Sequence, residues 1–220
     1  MSADNLAGKA QYDKDNLSKE ELAYLFGVYL GDGCCYKNKS FTIVSGDKDV
    51  IERTSEIVKH LFKKEGRLSE IHPNNKILFR FRAYNKELFE ALTSQTKNKS
   101  ELPSFVLNAD FKIITAFVAG LMDTDGYIST GINKYGWQRY SLGFINSADW
   151  LENFIFLLQK NGVKVGKKTL KKKYRGQDEK DCYQININLR SFTEKGFYFN
   201  CERKQELLEK YKSNVKYQSY

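Results

Sequence analysis

Two aspartates, each placed between an apolar stretch and a glycine, are the residues best suited to chemistry in this sequence. Asp32 lies in LAYLFGVYLGDG, and Asp125 lies in TAFVAGLMDTDG. If both stretches are helices, each carboxylate sits at the negative end of a helix dipole. Two such carboxylates about 4 Å apart repel by roughly 4 kcal/mol at an effective dielectric of 20. We therefore expect a bound hard cation, and Mg²⁺ is the expected ion because the nearby ligands are oxygens.

Two carboxylates and a divalent ion beneath a basic surface indicate phosphodiester hydrolysis. Such a centre orients a water molecule, stabilises the charged transition state and neutralises the leaving oxygen. A single Asp-Gly pair after an apolar helix is more often only a helix end. Here the pair occurs twice within matching surroundings, which favours the catalytic interpretation.

The two motifs align over their whole length, so that Gly27 falls on Gly120 and Gly31 falls on Thr124. Small residues four apart remove side-chain bulk from one stripe of a helix, and two such helices can pack backbone to backbone. We expect the two repeats to meet along these helices. That packing would bring the two aspartates together.

The segments downstream of the two motifs also repeat, and they predict helix, two strands, helix, two strands, helix in each half. The helical stretches 49–66 and 149–162 each stop at a glycine, as helix C-caps do. The strand stretches 76–84 and 182–189 alternate between apolar and polar residues, so that one face of each sheet is hydrogen-bonding. The predicted class is α+β, with helices on one face of antiparallel sheets.

The repeats also divide the chain. We expect a flexible leader over residues 1–17, a first repeat over 18–94, a linker containing Pro103 over 95–110, and a second repeat over 111–220.

Charge and composition limit the partners and the compartment. Lys and Arg outnumber Asp and Glu by 36 to 27, and residues 163–175 hold seven cations and no acid. This run favours either a nucleic-acid surface or a solvated basic edge. The sequence carries no lipidation signal, no signal peptide and no C-x-x-C pair among its four cysteines. We expect no membrane partner, no zinc, and a reduced intracellular, DNA-associated protein of the cytoplasm, nucleoid or organelle matrix.

The stretches LFGVYLGDG and VAGLMDTDG resemble the paired motifs of the LAGLIDADG homing endonucleases, in their two-motif single-chain form. The resemblance covers the chain from Leu17 onward and includes the LPSF segment before the second motif. The second motif is close to the family pattern. The first departs from it at Phe26 and Leu30, where the family often has a small residue and an acid.

The resemblance implies two pseudo-symmetric αββαββα repeats with saddle-shaped antiparallel sheets in the DNA major groove. It implies a monomer that cuts both strands of a long asymmetric site and leaves 3′ overhangs. Mg²⁺ would be the cofactor, with Mn²⁺ or Ca²⁺ able to substitute in binding. The metal ligands would be the two aspartates and two backbone carbonyls, namely Asp32, Asp125, Gly31 and Thr124. A basic catalytic residue is implied in each half, Lys99 with Lys97 as its rival, and Lys204 with Arg203 as its rival.

The polar strand faces supply the candidates for DNA contact. Arginine suits guanine, and asparagine and glutamine suit adenine. The base-reading candidates are therefore Arg80, Arg82, Arg139, Gln184, Asn186 and Asn188, with Lys171 and Lys173 expected on phosphates. Arg80 and Arg82 have an alternative, which is pairing with surface acids.

Three other functions are alternatives to the nuclease. An RNA-binding splicing maturase would use the same fold and take host intron RNA as its partner. A DNA-binding regulator is expected to have lost an acid, and neither acid is lost. The nuclease insert of an intein is disfavoured, because the chain starts at an ordinary Met and ends in KYQSY.

Overall fold

The structure is a computed structural model that describes residues 18–171 and 181–217. Both halves follow the predicted order of elements. The first half contains α1 (residues 18–30), β1 Cys34–Tyr36, β2 Ser40–Ser45, α2 Lys48–Phe62, β3 Arg67–Ile71, β4 Leu78–Tyr84 and α3 Lys86–Gln95. After the short α4 Ser104–Leu107, the second half contains α5 Phe111–Thr124, β5 Gly126–Ile132, β6 Gln138–Asn146, α6 Leu151–Lys160, β7 Thr169–Lys171, β8 Cys182–Ile187, α7 Leu189–Glu194 and α8 Glu202–Tyr217. The expected leader, residues 1–17, lies outside the described residues.

Each half forms a four-stranded antiparallel sheet, in the orders β1-β2-β4-β3 and β5-β6-β8-β7. In the first sheet Ile43 lies opposite Phe81, and both side chains are buried against the helices. In the second sheet Phe144 lies opposite Ile185, and both are buried in the same way. Alternation along the strands leaves the other face of each sheet uncovered. The α+β prediction is confirmed.

The two motif helices, α1 and α5, form the centre of the molecule. Every residue of α5 from Ile114 to Asp123 is buried, and residues 23–30 of α1 are buried as well. A helix that is apolar on all sides needs protein on all sides. The described helices include none that combines the length and the apolar character needed to cross a membrane.

The predicted backbone-to-backbone packing of the motif helices is present. A Cβ on Gly27 would lie 2.3 Å from the carbonyl oxygen of Phe117, and a Cβ on Gly120 would lie 2.3 Å from that of Tyr24. Such distances leave no room for any side chain. A Cβ on Gly31 would likewise lie 2.0 Å from Oγ1 of Thr124.

The helix ends agree with the prediction in one repeat only. Helix α6 ends at Lys160, and Gly162 follows with a φ of 81°, as expected of a glycine after a helix. The predicted end of α2 was wrong. That helix ends at Phe62, where Lys63 takes the left-handed conformation, and Gly66 is needed instead because a Cβ there would lie 2.1 Å from the Phe81 ring.

Candidate active site

Two clefts lie on either side of the paired motif-helix ends. One has a volume of about 690 Å³ and includes Asp32, Thr124 and Lys204 in its lining. The other has a volume of about 560 Å³ and includes Gly31, Lys99 and Asp125. Each cleft therefore combines the aspartate of one half with a lysine and a motif residue of the other half.

The two aspartates lie close enough to influence each other. Oδ2 of Asp125 lies 3.3 Å from the position that a Cβ on Gly31 would occupy, at the tip of the opposing helix. Burial raises the pKa of Asp125 to about 6, and the negative charge of Asp32 contributes to that rise. Asp32 is an exposed residue that lines the first cleft. The protein around it still raises its pKa by desolvation, against the opposing effect of Lys204 and Lys99.

Lys204 caps the C-terminal end of α5. Its side chain is only 4% exposed, and its Nζ donates to the carbonyl oxygens of Met122 at 2.9 Å, Asp123 at 2.7 Å and Gly126 at 2.7 Å. These carbonyls belong to the last turn of the helix and the start of the strand beyond it, and carbonyls at a helix end lack an intrahelical partner. Burial lowers the pKa of Lys204. The ammonium places a positive charge at the negative end of the helix dipole.

Lys99 holds the corresponding place at the end of α1. Its Nζ donates to the carbonyl oxygens of Gly31 at 2.7 Å and Gly33 at 3.1 Å. The backbone reaches this position through three consecutive left-handed residues, Lys97, Asn98 and Lys99, with φ values of 43°, 55° and 71°. Burial lowers the pKa of Lys99, and Asp125 and then Asp32 oppose that effect.

The rival cations are engaged elsewhere. Lys97 is exposed, and its Nζ pairs with Glu101 at 2.6 Å. Arg203 forms two 2.9 Å hydrogen bonds with the carboxylate of Asp47. Among the described residues, neither rival bonds to a carbonyl of the motif-helix ends, although Arg203 and Asp47 line the Asp32 cleft, so the hydrogen bonds favour Lys99 and Lys204.

The donor set fits a hard divalent cation. It offers two carboxylates at adjoining helix ends and the backbone carbonyls of Gly31 and Thr124. The carbonyl of Gly31 accepts a hydrogen bond from Lys99, and that of Thr124 accepts a long one, 3.5 Å, from Lys204. A carbonyl oxygen has two lone pairs, so each keeps one for a metal. Oxygen donors of this kind are those that Mg²⁺, Mn²⁺ and Ca²⁺ prefer.

Asn146 was not predicted from the sequence as a site residue. Its amide donates to Oδ2 of Asp125 at 2.6 Å, and its own Oδ1 accepts from the backbone of Ala148 at 2.7 Å. The side chain therefore holds one carboxylate oxygen of Asp125 in place. The available signal was a polar residue at the end of β6, directly after the apolar pair that closes the strand.

Asp123 was also missed, because only the last acid of the motif was considered. Its carboxylate accepts hydrogen bonds from the hydroxyl of Tyr24 at 2.9 Å and from the backbone of Asn200 at 3.2 Å and Cys201 at 3.0 Å. Burial raises the pKa of Asp123 to about 6. These bonds tie α5 to α1 and to the start of α8. They fix the helix that carries Lys204.

The uncovered face of the first sheet carries a row of arginines. Arg82 and Arg80 lie on it as predicted, with Nε of Arg82 donating to Thr42 and Nε of Arg80 to Ser69. Arg67, which was missed because strand β3 was expected from the repeat but not located, lies directly opposite Arg82. Neither Arg80 nor Arg82 makes an ion pair with any described acid, so the alternative of surface pairing is not seen there.

The uncovered face of the second sheet carries a hydrogen-bonded polar group. Gln184 donates to the hydroxyl of Tyr127 at 2.7 Å, and that hydroxyl contacts Oδ1 of Asn186 at 3.3 Å. The Tyr127 ring lies over Gly143, where a Cβ would be 2.5 Å from its hydroxyl. Two other candidates share this sheet at its margins, Lys171 opposite Cys182 and Arg139 opposite Gly131.

Two of the predicted DNA-contacting residues, Asn188 and Lys173, are not found on a described strand. Asn188 was expected on the polar face of a strand that continues to Leu189. The strand ends at Ile187, and Asn188 caps α7 by accepting from the backbone of Ser191 at 2.8 Å. The expected place of Asn188 in the strand was wrong, because an asparagine before a helix is stabilised as its N-cap, and its contact with DNA stays a prediction. Lys173 lies outside the described residues.

Known structures share the fold, although no protein-family model matches the chain. A structure of mesophilic variants of the homing endonuclease I-DmoI superposes with a TM-score of 0.55 at 18% sequence identity, over 80% of this chain and 88% of that one. I-DmoI in complex with DNA and Mn superposes with a TM-score of 0.53 at 16% identity, over 80% and 94%. The chain has the LAGLIDADG fold. The N-terminal LAGLIDADG domain of WhiA shares this fold too, with a TM-score of 0.53 at 13% identity, over 81% of both chains.

Two curated proteins of Methanocaldococcus jannaschii contain a segment similar to this chain. The glutamine–fructose-6-phosphate aminotransferase is 25% identical over 156 residues, which are 70% of this chain and 14% of that protein. The probable translation initiation factor IF-2 is 25% identical over 208 residues, 89% of this chain and 17% of that protein. The chain spans less than a fifth of either relative, and their named activities are unrelated to each other.

Proposed function

We propose that this chain is a divalent-metal-dependent endonuclease that, as a monomer, cuts both strands of a long asymmetric DNA site and leaves 3′ overhangs. One observation carries the proposal. The two motif aspartates sit at adjoining helix ends, in two separate clefts, each beside a buried or half-buried lysine. Two strands require two reaction centres, and the fold provides two that are built alike. WhiA shares the fold without being named a nuclease, so the clefts and not the fold support cleavage.

Asp32, Asp125 and the carbonyls of Gly31 and Thr124 are the residues that would hold the metal. When bound, a divalent ion polarises the scissile phosphate and lowers the pKa of an attacking water. The raised pKa of each carboxyl makes its ionisation less favourable than that of a free aspartate, and a bound cation would offset this effect. I-DmoI has been solved with DNA and Mn and with DNA and Ca, which supports a divalent ion here. We propose Mg²⁺ on availability.

The other residues of each cleft prepare it for an anionic substrate. Lys204 and Lys99 offset the partial negative charge of the two helix ends, which would otherwise repel a phosphate. Asn146 restrains the rotation of Asp125, which lines the second cleft. Held in this way, the Asp125 carboxylate and the carbonyls need little rearrangement when substrate binds.

The uncovered sheet faces would bind the duplex. The first presents Arg67, Arg80 and Arg82, and the second presents Gln184 and Asn186 around Tyr127. Two arginines directly opposite each other on neighbouring strands repel, and a phosphate or a guanine edge between them removes that repulsion. The net charge of +9 favours a polyanion as the partner.

A randomised duplex library tests the proposal. The wild-type chain, incubated with the library and Mg²⁺, should release fragments whose sequenced ends define one long site with 3′ overhangs. EDTA should stop the reaction. The double variant Asp32→Asn/Asp125→Asn should retain DNA binding and lose cleavage, and equal cleavage by that variant would overturn the mechanism.

A splicing maturase is the second candidate, since a basic LAGLIDADG surface can also bind structured RNA. Two clustered carboxylates beside a polyanion weaken binding and benefit only a chain that uses them for chemistry. Filter retention of host intron RNA and of duplex DNA at matched salt concentrations separates the two functions. Tighter retention of the RNA, with no cut duplex recovered, would favour the maturase.

A further inference from the structure

The hairpin formed by β5 and β6 reaches further than its counterpart in the first half. Pairing between β1 and β2 ends at Tyr36 opposite Ser40, whereas pairing between β5 and β6 continues to Ile132 opposite Gln138. Tyr36 aligns with Ser129 when the two motifs are superposed on their final glycines. The second hairpin is therefore three residues longer on each strand. At about 3.3 Å per residue, it projects roughly 10 Å beyond the first.

The end of this hairpin carries large apolar side chains in solvent. Ile132 is 79% exposed, Tyr135 is 71% exposed and Trp137 is 65% exposed. We call these three residues the aromatic tip. Single exposed apolar residues are common on protein surfaces, but a group of this size at the end of a projecting element marks an interaction site.

The aromatic tip is held in shape without a partner. Oδ1 of Asn133 accepts hydrogen bonds from the backbone of Tyr135 at 2.9 Å and Trp137 at 3.0 Å. The backbone of Asn133 donates to the carbonyl of Trp137 at 2.9 Å, and Gly136 closes the turn with a φ of 82°. A loop that is already ordered loses little conformational entropy on binding.

The charge around the aromatic tip identifies the kind of partner. Residues 126–146 include Lys134 and Arg139 and contain no aspartate or glutamate. The ammonium of Lys134 lies 4.9 Å from the centre of the Tyr135 ring. Aromatic side chains interleaved with cations, and no acid, fit a nucleic-acid backbone with its sugars and bases. Alternation places Tyr127 and Arg139 of the hairpin on the sheet face that holds Gln184 and Asn186, and Ile132 on the opposite face.

We propose that the aromatic tip binds duplex DNA beyond the reach of the first-half hairpin, so that the two half-sites differ in length. Tyr135 and Trp137 would contact deoxyribose and thymine methyl groups, while Lys134 and Arg139 would contact phosphates. With about 3.4 Å per base pair, an extension of about 10 Å lengthens the second half-site by roughly three base pairs. The inference rests on the DNA-binding part of the proposed function and not on cleavage.

Trp137 is its own reporter for this contact. The chain has two tryptophans, and the other, Trp150, is 1% exposed in the core. The experiment uses the whole chain in EDTA and a duplex selected for binding from a random library, so that cleavage is not needed. The emission of the wild-type chain should be quenched and shifted to shorter wavelength as the duplex is added, because Trp137 leaves water.

Two variants complete the test. Tyr135→Ala/Trp137→Ala should bind a labelled duplex about tenfold more weakly, which corresponds to about 1.4 kcal/mol, with an unchanged salt dependence because no cation is removed. Phe156→Ala, which removes a 63% exposed ring from α6, is the matched control and should bind as the wild type does. Hydroxyl-radical footprints should shorten by about three base pairs at one end in the double variant only.

The outcomes separate this inference from the proposed function. Duplex binding with unchanged Trp137 emission, or equal affinity of the double variant, would overturn the inference alone. So would self-association of the wild-type chain in sedimentation that the double variant abolishes, since the tip would then bind a second copy. A wild-type chain that binds no duplex would overturn both, whereas binding without cleavage would contradict only the nuclease.

Discussion

The side-chain amide of Asn146 lies 2.6 Å from Oδ2 of Asp125, and the residue that aligns with it in the first half, Ser45, has no contact of this kind with Asp32 among the described residues. The two clefts are therefore built alike but not held alike. The Asp125 carboxylate is held by a side-chain hydrogen bond, and the Asp32 carboxylate has none from the corresponding residue.

This difference predicts that one substitution slows the cleavage of one DNA strand more than that of the other. Asn146→Ala should slow the nicking of one strand by about tenfold, since a hydrogen bond to a charged group contributes about 1.5–3 kcal/mol, and leave the other strand nearly unchanged. Separately end-labelled strands measure the two rates. Asn161→Ala, whose amide donates only to the carbonyl of Leu157, is the control. Equal slowing of both strands would assign Asn146 a general structural role instead.

Replacing either aspartate should stabilise the metal-free chain and weaken metal binding. In EDTA, Asp32→Asn and Asp125→Asn should each raise the melting temperature, because one of two repelling carboxylates is removed. A gain of about 1 kcal/mol would raise it by roughly 2–4 °C. Added Mg²⁺ or Ca²⁺ should stabilise the wild type by mass action and have little effect on either variant. A wild type insensitive to both ions would contradict the assigned ligands. Scanning calorimetry with and without EDTA makes the measurement.

The pKa of Asp125, raised to about 6, sets the direction of the pH dependence. The native state holds this proton more tightly than the unfolded chain, whose aspartate pKa is about 3.9. Without metal, the free energy of unfolding should therefore fall as the pH rises from about 4 to about 6. Asp123, with its pKa raised to about 6 by burial, acts in the same direction. Metal affinity should rise over the same range, because only the ionised carboxylate binds metal.

Chemical denaturation at fixed pH values, in EDTA and in saturating Mg²⁺, provides the test of this opposition. The two curves of unfolding free energy against pH should diverge as the pH rises towards about 6. Asp125→Asn is the matched variant, and its own curve in EDTA should be flatter than that of the wild type. Parallel curves for the wild type would show that the carboxyl titrates far from the metal.

Replacing the buried Lys204 should lower the free energy of unfolding substantially. Lys204→Met keeps the approximate volume of the side chain and leaves the carbonyls of Met122, Asp123 and Gly126 without their donor. Each unpaired buried group costs about 1–3 kcal/mol, so a loss of at least about 2 kcal/mol is expected. Arg203→Met, next to it, removes only a partly exposed pair with Asp47 and should cost about 1 kcal/mol or less. Similar losses in urea denaturation would contradict this assignment.

The facing arginines predict that DNA affinity and stability change in opposite directions. Arg67→Gln removes the cation opposite Arg82, which should stabilise the free chain by about 0.5 kcal/mol. The same change should weaken duplex binding and reduce the slope of log affinity against log salt by about 1. Lys59→Gln, on the helical face and paired with Glu65, should alter neither binding nor its salt slope appreciably. Unchanged binding by Arg67→Gln would remove this strand from the interface.

The fold could be predicted because its determinants are local and occur twice. Alternation placed Arg80 and Arg82 on the uncovered face, and the small residues Gly27 and Gly120 located the helix contact. The features that could not be predicted depend on how separate elements meet. The reach of Lys204 into α5, and of Asn146 to Asp125, depends on distances that no sequence pattern encodes.

The errors arose where two local preferences competed. Asn188 continues an alternating strand pattern and is also a good N-cap, and it acts as the cap because α7 begins there. Gly66 resembled the end of α2, but the packing of Phe81 requires that glycine and the helix ends earlier. The position of strand β3 was missed because RLSEI, with one acid and one arginine in five residues, lacks the apolar enrichment of its neighbours.

Because each cleft takes residues from both repeats, neither repeat alone can form the cleft that it faces. A polypeptide divided between α3 and α5 would give two inert fragments, and any activity would return only on their reassociation. Conversely, a nickase would have to be made by altering one cleft within an intact chain. The Asp125 cleft is suited to this, because the hydrogen bond from Asn146 can be removed there without changing the other cleft.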